Sequence, residues 1–191
     1  MENSGVPLPL REILKGFMKE FKFSFLSCLY VASRDGFGSK DFHAKCDGKN
    51  KIIVIIKANG FYFGGYTSSS FNSVGKGFLG GNYVHSDYSF IFSLSNPQNK
   101  PTFFKCVQPQ LGIRDSSSSG PCFGKSDICI FDNSNQRNNN YTNIEKSYEG
   151  KKKKKIIFIL FLILIKKKKV VVINSNQMKQ EIFYVVPSDS K

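Results

Sequence analysis

FSFLSCLYVASRDGFGSKDFHAKCDGKNKIIVIIKANGFYFGGYTSSSF, residues 23–71, is the stretch whose reading decides the fold. Two runs inside it read as strands. Lys51–Lys57 is apolar and β-branched between its lysines, and Phe61–Tyr66 is an aromatic run carrying two glycines. Ala58-Asn59-Gly60 joins them, and Asn-Gly is a strong hairpin signal because a type I′ turn needs positive φ at both central residues. Upstream, Tyr30–Phe37 is an apolar run broken by an Asp-Gly turn. Ser39–Cys46 follows that break and reads as a helix capped by Ser39, with Phe42 facing inward.

Working outward, the β pattern continues. Ser68–Asn82 is rich in Ser and Gly and reads as a loop. Tyr88–Leu94 alternates well enough for a half-buried strand, and Pro101–Val107 reads as another. Leu111–Gly120 reads as a serine-rich linker, and Asp127–Phe131 as a short strand before the asparagine-rich loop Asp132–Asn143. Short strands with frequent turn signals predict a mainly β (α+β) domain, a two-sheet antiparallel β-sandwich with a few short flanking helices. Arg11–Lys22 carries Ile13, Phe17 and Phe21, with Leu14 and Met18 beside them, at roughly helical spacing. It reads as a short helix packed on the domain rather than one lying on a membrane. No internal repeat is visible.

The 191 residues suffice for one domain with a proper core. A formal charge of +14 would ordinarily suggest nucleic acid or an anionic membrane. Lys151–Lys155 and Lys166–Lys169 supply nine of those charges, so the rest of the chain carries only +5. The basicity belongs to two runs and not to a folded face. Five cysteines at irregular spacing, with no convincing secretory signal before them, predict a reduced, cytoplasmic protein. On that reading the sequon Asn140-Tyr141-Thr142 is idle.

Lys151–Ile173 stands apart. Its centre, Ile156–Ile165, is ten apolar residues flanked by lysines, half of the about 20 a membrane span needs. All-round apolarity argues against an amphipathic interfacial helix. As a fully buried strand its length is acceptable. Lys, Ile, Phe, Leu and Asn are also what A/T-only codons encode, so translation through an A/T-rich intron is a further reading.

Few residues carry candidate chemistry. In Arg34-Asp35-Gly36, turn chemistry accounts for Asp35 and Gly36, which leaves Arg34 as the functional candidate. His43 and Cys46, followed by Asp47, have a spacing that a metal site uses, but no second paired motif exists, so no metal is expected. The ordinary account puts His43 near the surface and Cys46 inside. Cys46 has Lys45 and Lys49 nearby, which makes it a weak redox candidate set against a buried, inert thiol. Gly64-Gly65 lacks the context of a phosphate loop and reads as a tight turn or bulge. No spacing of carboxylates, Ser or His builds a catalytic centre; no cofactor and no enzymatic activity are expected.

The order of these motifs resembles the TLDc domain, whose proteins are associated with resistance to oxidative stress. L-Y-x-A-S-R-D-G-F is followed by F-H-x-K-C-D, an apolar strand and F-G-G-Y-T-S. Tyr88–Leu94 resembles the family's F-L-F-S-L strand, and Gly120–Gly124 its G-P-x-F-G turn. Asp127–Asn135 resembles the strand and loop that follow, and Glu181–Val185 the closing strand. The chain departs from the family at Val31, where an Arg is usual, and at Gly124-Lys125-Ser126, where a doubled glycine is usual. The lysine-flanked run replaces the usual F-x-x-G-S-Y-N-F.

The resemblance implies a domain over 23–150, closed by a strand within 174–187, with 1–22 a leader, 151–173 an insert and 188–191 a tail. It implies two antiparallel sheets packed face to face, as the pattern alone suggests. It also implies a non-catalytic protein-binding role, with the vacuolar-type proton pump as partner. Arg34, Asp35 and Phe37 in one turn, and Tyr66 and Phe71 around the next loop, are the candidate partner-binding residues. Two alternatives stay open: an adaptor fragment of a larger BTB/TLDc-type protein, and a small membrane-associated protein anchored by Ile156–Ile165.

Overall fold

The computed structural model describes residues 6–19, 27–74, 82–125, 127–136, 147–149 and 168–174. Phe21, the sequon at 140–142, the apolar run 156–165 and the expected closing strand at 181–185 lie outside these.

The expected hairpin forms as the Asn-Gly signal requires. Strand β2 (Ile52–Ala58) pairs with β3 (Phe61–Thr67) in register from Ile52↔Thr67 to Ala58↔Phe61. Asn59 and Gly60 turn between them at φ 50° and 80°. Around this hairpin a six-stranded antiparallel sheet is built from β1 (Ser27–Val31), β5 (Ser89–Ser93), β6 (Thr102–Lys105) and β10 (Lys168–Asn174). Its order is β1-β10-β2-β3-β5-β6. A second antiparallel sheet has four strands in the order β4-β7-β8-β9: β4 (Asn82–Val84), β7 (Ile113–Asp115), β8 (Ser119–Phe123) and β9 (Ile128–Phe131). Among the described residues the α-helices are short: α1 (Leu8–Met18), α2 (Ala32–Asp35) and α3 (Ser39–Cys46). The fold is the expected two-sheet sandwich.

Alternation sorts the large sheet into two faces. Ile52, Val54, Ile56, Phe63, Ile91, Phe104 and Val172 point inward and meet Ile113, Phe123, Ile128 and Ile130 of the small sheet. Burial of such side chains stabilises by about 1.5–3 kcal/mol each before entropy is counted. Ile53, Ile55, Tyr62, Tyr66, Phe90 and Phe92 point outward, where Leu10, Ile13, Leu14 and Phe17 of α1 cover them. The amphipathic stripe thus packs on the domain. Because β2 is covered on both faces, it reads as a continuous apolar run rather than an alternating one.

Four local expectations are corrected. Leu111–Gly120 is not a linker: after a short 3₁₀ turn, Pro109–Leu111, half of it goes into β7 and the start of β8. Serine composition hid the strand, because Ser116 and Ser119 are buried with their backbone paired. Gly64 and Gly65 are neither turn nor bulge but regular positions in β3. A Cβ on Gly65 would stand 2.8 Å from the Phe123 ring, so glycine is what lets the two sheets close there. Ser39 is not the cap of α3: Gly38 holds that position and its N–H donates to Asp41 Oδ2 at 2.9 Å. Finally, Lys168–Ile173, read as part of the insert, lies in β10 between β1 and β2. Val170–Ile173 supplies the β-branched run that a central strand needs.

Candidate functional site

The turn that carries Arg34 is built from its own neighbours. Ala32–Asp35 makes a single helical turn, and Gly36 ends it at φ 111°, a conformation that favours glycine. A Cβ on Gly36 would also run into the Asp41 carboxylate. Tyr30 Oη donates to Gly36 O at 2.6 Å, and Val31 N–H donates to Asp35 Oδ2 at 2.8 Å. With Asp35 so anchored, Arg34 donates to it in a bidentate pair, Nε to Oδ1 at 2.9 Å and Nη2 to Oδ2 at 2.7 Å. The Arg34 side chain is 46 % exposed and that of Asp35 11 %. The hydrogen bond from Arg34 holds the Asp35 carboxyl below the usual carboxylate range against the opposing effect of burial. Lys45 on α3 lies close enough to act on Asp35 in the same direction. Arg34 and Lys45 are both exposed cations, and both act on the Asp35 carboxylate. Phe37 is half-buried against the core.

The second expected region behaves differently. Phe71 is fully buried and meets Phe42 of α3 edge-on, ring centroids 5.3 Å apart. It is a core residue in this conformation and cannot touch a partner. Tyr66 is 2 % exposed and stacks on Phe90 at 5.1 Å, and burial pushes its phenol up to about 12. It also contributes to the lining of a cleft of about 530 Å³. Phe42 touches Tyr30 at 5.9 Å on one side and Phe71 on the other, so α3 joins the two regions through the core.

That joining role rests on residues whose local spacing says little. His43 is buried rather than near the surface. Its Nδ1 pairs with Asp47 Oδ1 at 2.6 Å, and Nε2 lies 3.0 Å from Ser116 O and 2.8 Å from Ser119 O. Those oxygens can only accept, so Nε2 is the donor there. Asp47 Oδ2 in turn accepts from Ser73 Oγ at 2.5 Å. One imidazole thus ties α3 to the β7–β8 connection and, through Asp47, to the loop after β3. Asp115, fully buried, holds the same loop by accepting the backbone N–H groups of Asn72, Ser73 and Val74, each at 3.1 Å. Partners 41 to 43 residues apart leave no local signal.

His43 has both nitrogens engaged, and among the described residues no group of three or more His, Cys, Asp or Glu is placed to hold a metal. Cys46 is fully buried, and burial drives its thiol far above the ordinary range, with Asp47 adding to the effect. That is the opposite of a reactive thiolate. The expectation that all cysteines are reduced is also corrected: Cys122 and Cys129, opposed across β8 and β9, are joined in a disulfide. Cys28, Cys46 and Cys106 are free. Among the described residues no helix is long and apolar enough to cross a membrane.

The family model for the TLDc domain matches residues 9–159. The chain belongs to the TLDc family. That match takes in α1 from its second residue and both sheets except β10. No curated protein matches the chain. Within the TLDc domain, the S-R-D-G-F motif is the turn that displays Arg34, and the F-H-x-K-C-D motif is the helix that organises the loops behind it.

Proposed function

We propose that this TLDc domain is a non-catalytic, cytoplasmic protein-binding module of the oxidative-stress response. Its partner is the vacuolar-type proton pump, and its docking face is the turn at Ser33–Phe37 with Lys45 beside it. The observation that carries this reading is the presentation of Arg34. Its guanidinium is pre-set by the bidentate pair to an anchored Asp35, yet nearly half exposed. Two of its five N–H donors are used by Asp35, and the exposed guanidinium has further donors to offer a carboxylate on the partner. A pre-organised Arg loses little side-chain entropy on docking, and Arg is enriched among interface hot spots. Asp35 serves as the support, and Phe37 contributes apolar contact at the rim. Tyr66 and Phe71 take no direct part.

Affinity capture with the full chain from cell extract, scored for proton-pump subunits, tests the reading. A thermal melt run in parallel confirms that each bait is folded. Wild type should retain pump subunits and Arg34→Ala should lose them, since Asp35 keeps its backbone anchor in that variant. A folded wild-type bait that captures no pump subunit, or undiminished capture by Arg34→Ala, overturns it.

A further inference from the structure

Cys122 and Cys129 occupy directly opposed positions on β8 and β9, with Cα atoms 4.2 Å apart. One strand further along, Arg114 of β7 lies directly opposite Cys122. Opposed residues of antiparallel strands project from the same face with Cβ atoms about 4.5–5.5 Å apart. The three residues therefore stand in one row across the strands: Arg114, Cys122, Cys129. Ile113, Phe123, Ile128 and Ile130 of the same strands face the core, so the row lies on the other face of the small sheet, where both cysteines pack with Phe131.

Two features set this pair apart from a structural staple. The cysteines are only seven positions apart, in strands already paired through backbone hydrogen bonds. A cross-link there removes little freedom that the hairpin has not removed already. The charge is also one-sided. Arg114 is the cross-strand neighbour of Cys122 and not of Cys129, and a cation held near a thiol favours the thiolate.

We propose that Cys122 and Cys129 form a reversible dithiol–disulfide pair oxidised by hydroperoxides, with Cys122 as the attacking sulfur. The Cys122 thiolate attacks one oxygen of hydrogen peroxide, the O–O bond breaks, a sulfenic acid forms, and the departing hydroxide takes the proton that the Cys122 thiol gave up on ionising, leaving as the first water. The Cys129 thiol then attacks that sulfur, an S–S bond forms, the S–O bond breaks, and the departing hydroxide takes the Cys129 proton as the second water. Two thiols are oxidised by two electrons and one hydroperoxide is reduced. Both cysteines are buried, at 0 % and 1 % exposure, so peroxide reaches them when the hairpin opens. Among the described strands β9 is the edge of its sheet, so it pairs with β8 alone, and opening also withdraws Ile128 and Ile130 from the core. This proposal goes beyond the partner-binding reading and does not depend on it.

Thiol mapping of the full chain tests it. The protein is reduced with dithiothreitol under native conditions, exposed to graded hydrogen peroxide, quenched with N-ethylmaleimide and digested for mass spectrometry. A Cys122–Cys129 cross-linked peptide should appear and then disappear again with dithiothreitol in the absence of denaturant. Its rate of formation should level off at high peroxide, where opening limits it. Arg114→Gln should slow it by about threefold or more, because a lost thiolate fraction is only partly offset by higher intrinsic nucleophilicity. Arg114→Lys should restore the rate. A disulfide reducible only after unfolding, or one that never forms from folded reduced protein, overturns the proposal. A wild-type rate in folded Arg114→Gln overturns the assignment of Cys122 as the attacking sulfur.

Discussion

Replacing His43 by leucine keeps the side chain's bulk against Phe42 but strips its hydrogen bonds. The imidazole is buried and engages Asp47, Ser116 O and Ser119 O. Their losses are unequal. Ser116 O keeps a second donor in Ser119 N–H at 3.2 Å, and Asp47 keeps Ser73 Oγ and is 29 % exposed. The larger loss falls on Ser119 O and on the tie between α3 and the β7–β8 connection. An acceptor left unsatisfied in a buried place costs about 1–3 kcal/mol, and the two weakened contacts add about 0.5–1.5 kcal/mol each. A total of about 4 kcal/mol is a large share of the roughly 5–15 kcal/mol that holds a domain folded. At about 2–4 °C per kcal/mol for a chain of this size, the melting temperature should fall by about 8–16 °C. Urea denaturation with an unchanged m-value measures the free energy directly. Hydrogen exchange should quicken at residues 72–74, because Asp47 then holds Ser73 less firmly. A loss under about 1 kcal/mol with unchanged exchange would refute the view that His43 organises these loops.

Three further outcomes are expected. Gly65→Ala places a methyl where the Phe123 ring stands 2.8 Å away, and forcing the sheets apart should cost about 1–3 kcal/mol in urea denaturation; an unchanged midpoint would deny the close approach. Asp35 has its carboxyl held low by Arg34, so the pair stabilises the fold above the usual carboxylate range, and the contribution is lost as pH falls through the lowered folded-state value. The stability difference between wild type and Arg34→Gln should therefore be greatest above about pH 5, at most about 1 kcal/mol, and should vanish near pH 2; a difference independent of pH would contradict the pairing. Cys46, whose thiol burial keeps protonated, should resist N-ethylmaleimide in folded protein and react on unfolding; fast labelling of the native chain would place it outside the core.

Much of the fold is legible in one dimension. Asn59-Gly60 sets the β2–β3 hairpin, Tyr88–Leu94 contains β5, and the Ile13–Phe17 stripe belongs to the helix that covers the outer face. The display of Arg34 is legible too, because Asp35 and Gly36 shape a turn from residues within a few positions of it. Composition misled where polarity stood in for exposure. Ser116 and Ser119 at the β7–β8 connection are buried although polar, with Ser119 N–H donating to Ser116 O.

What the sequence by itself determined is everything carried by period and turn chemistry: strand or helix, hairpin position, and the family to which their order belongs. Only the tertiary structure decided that Phe71 is core, that Gly65 admits the Phe123 ring, that Val170–Ile173 threads between β1 and β2, and that Cys122 faces Cys129. Hydrophobic periodicity sets which face of an element turns inward but not what it meets. Asp115 and Asn72, or His43 and Ser119, are brought together by the stacking of two sheets and a helix, and contacts across 43 or 76 residues leave no trace in either local pattern.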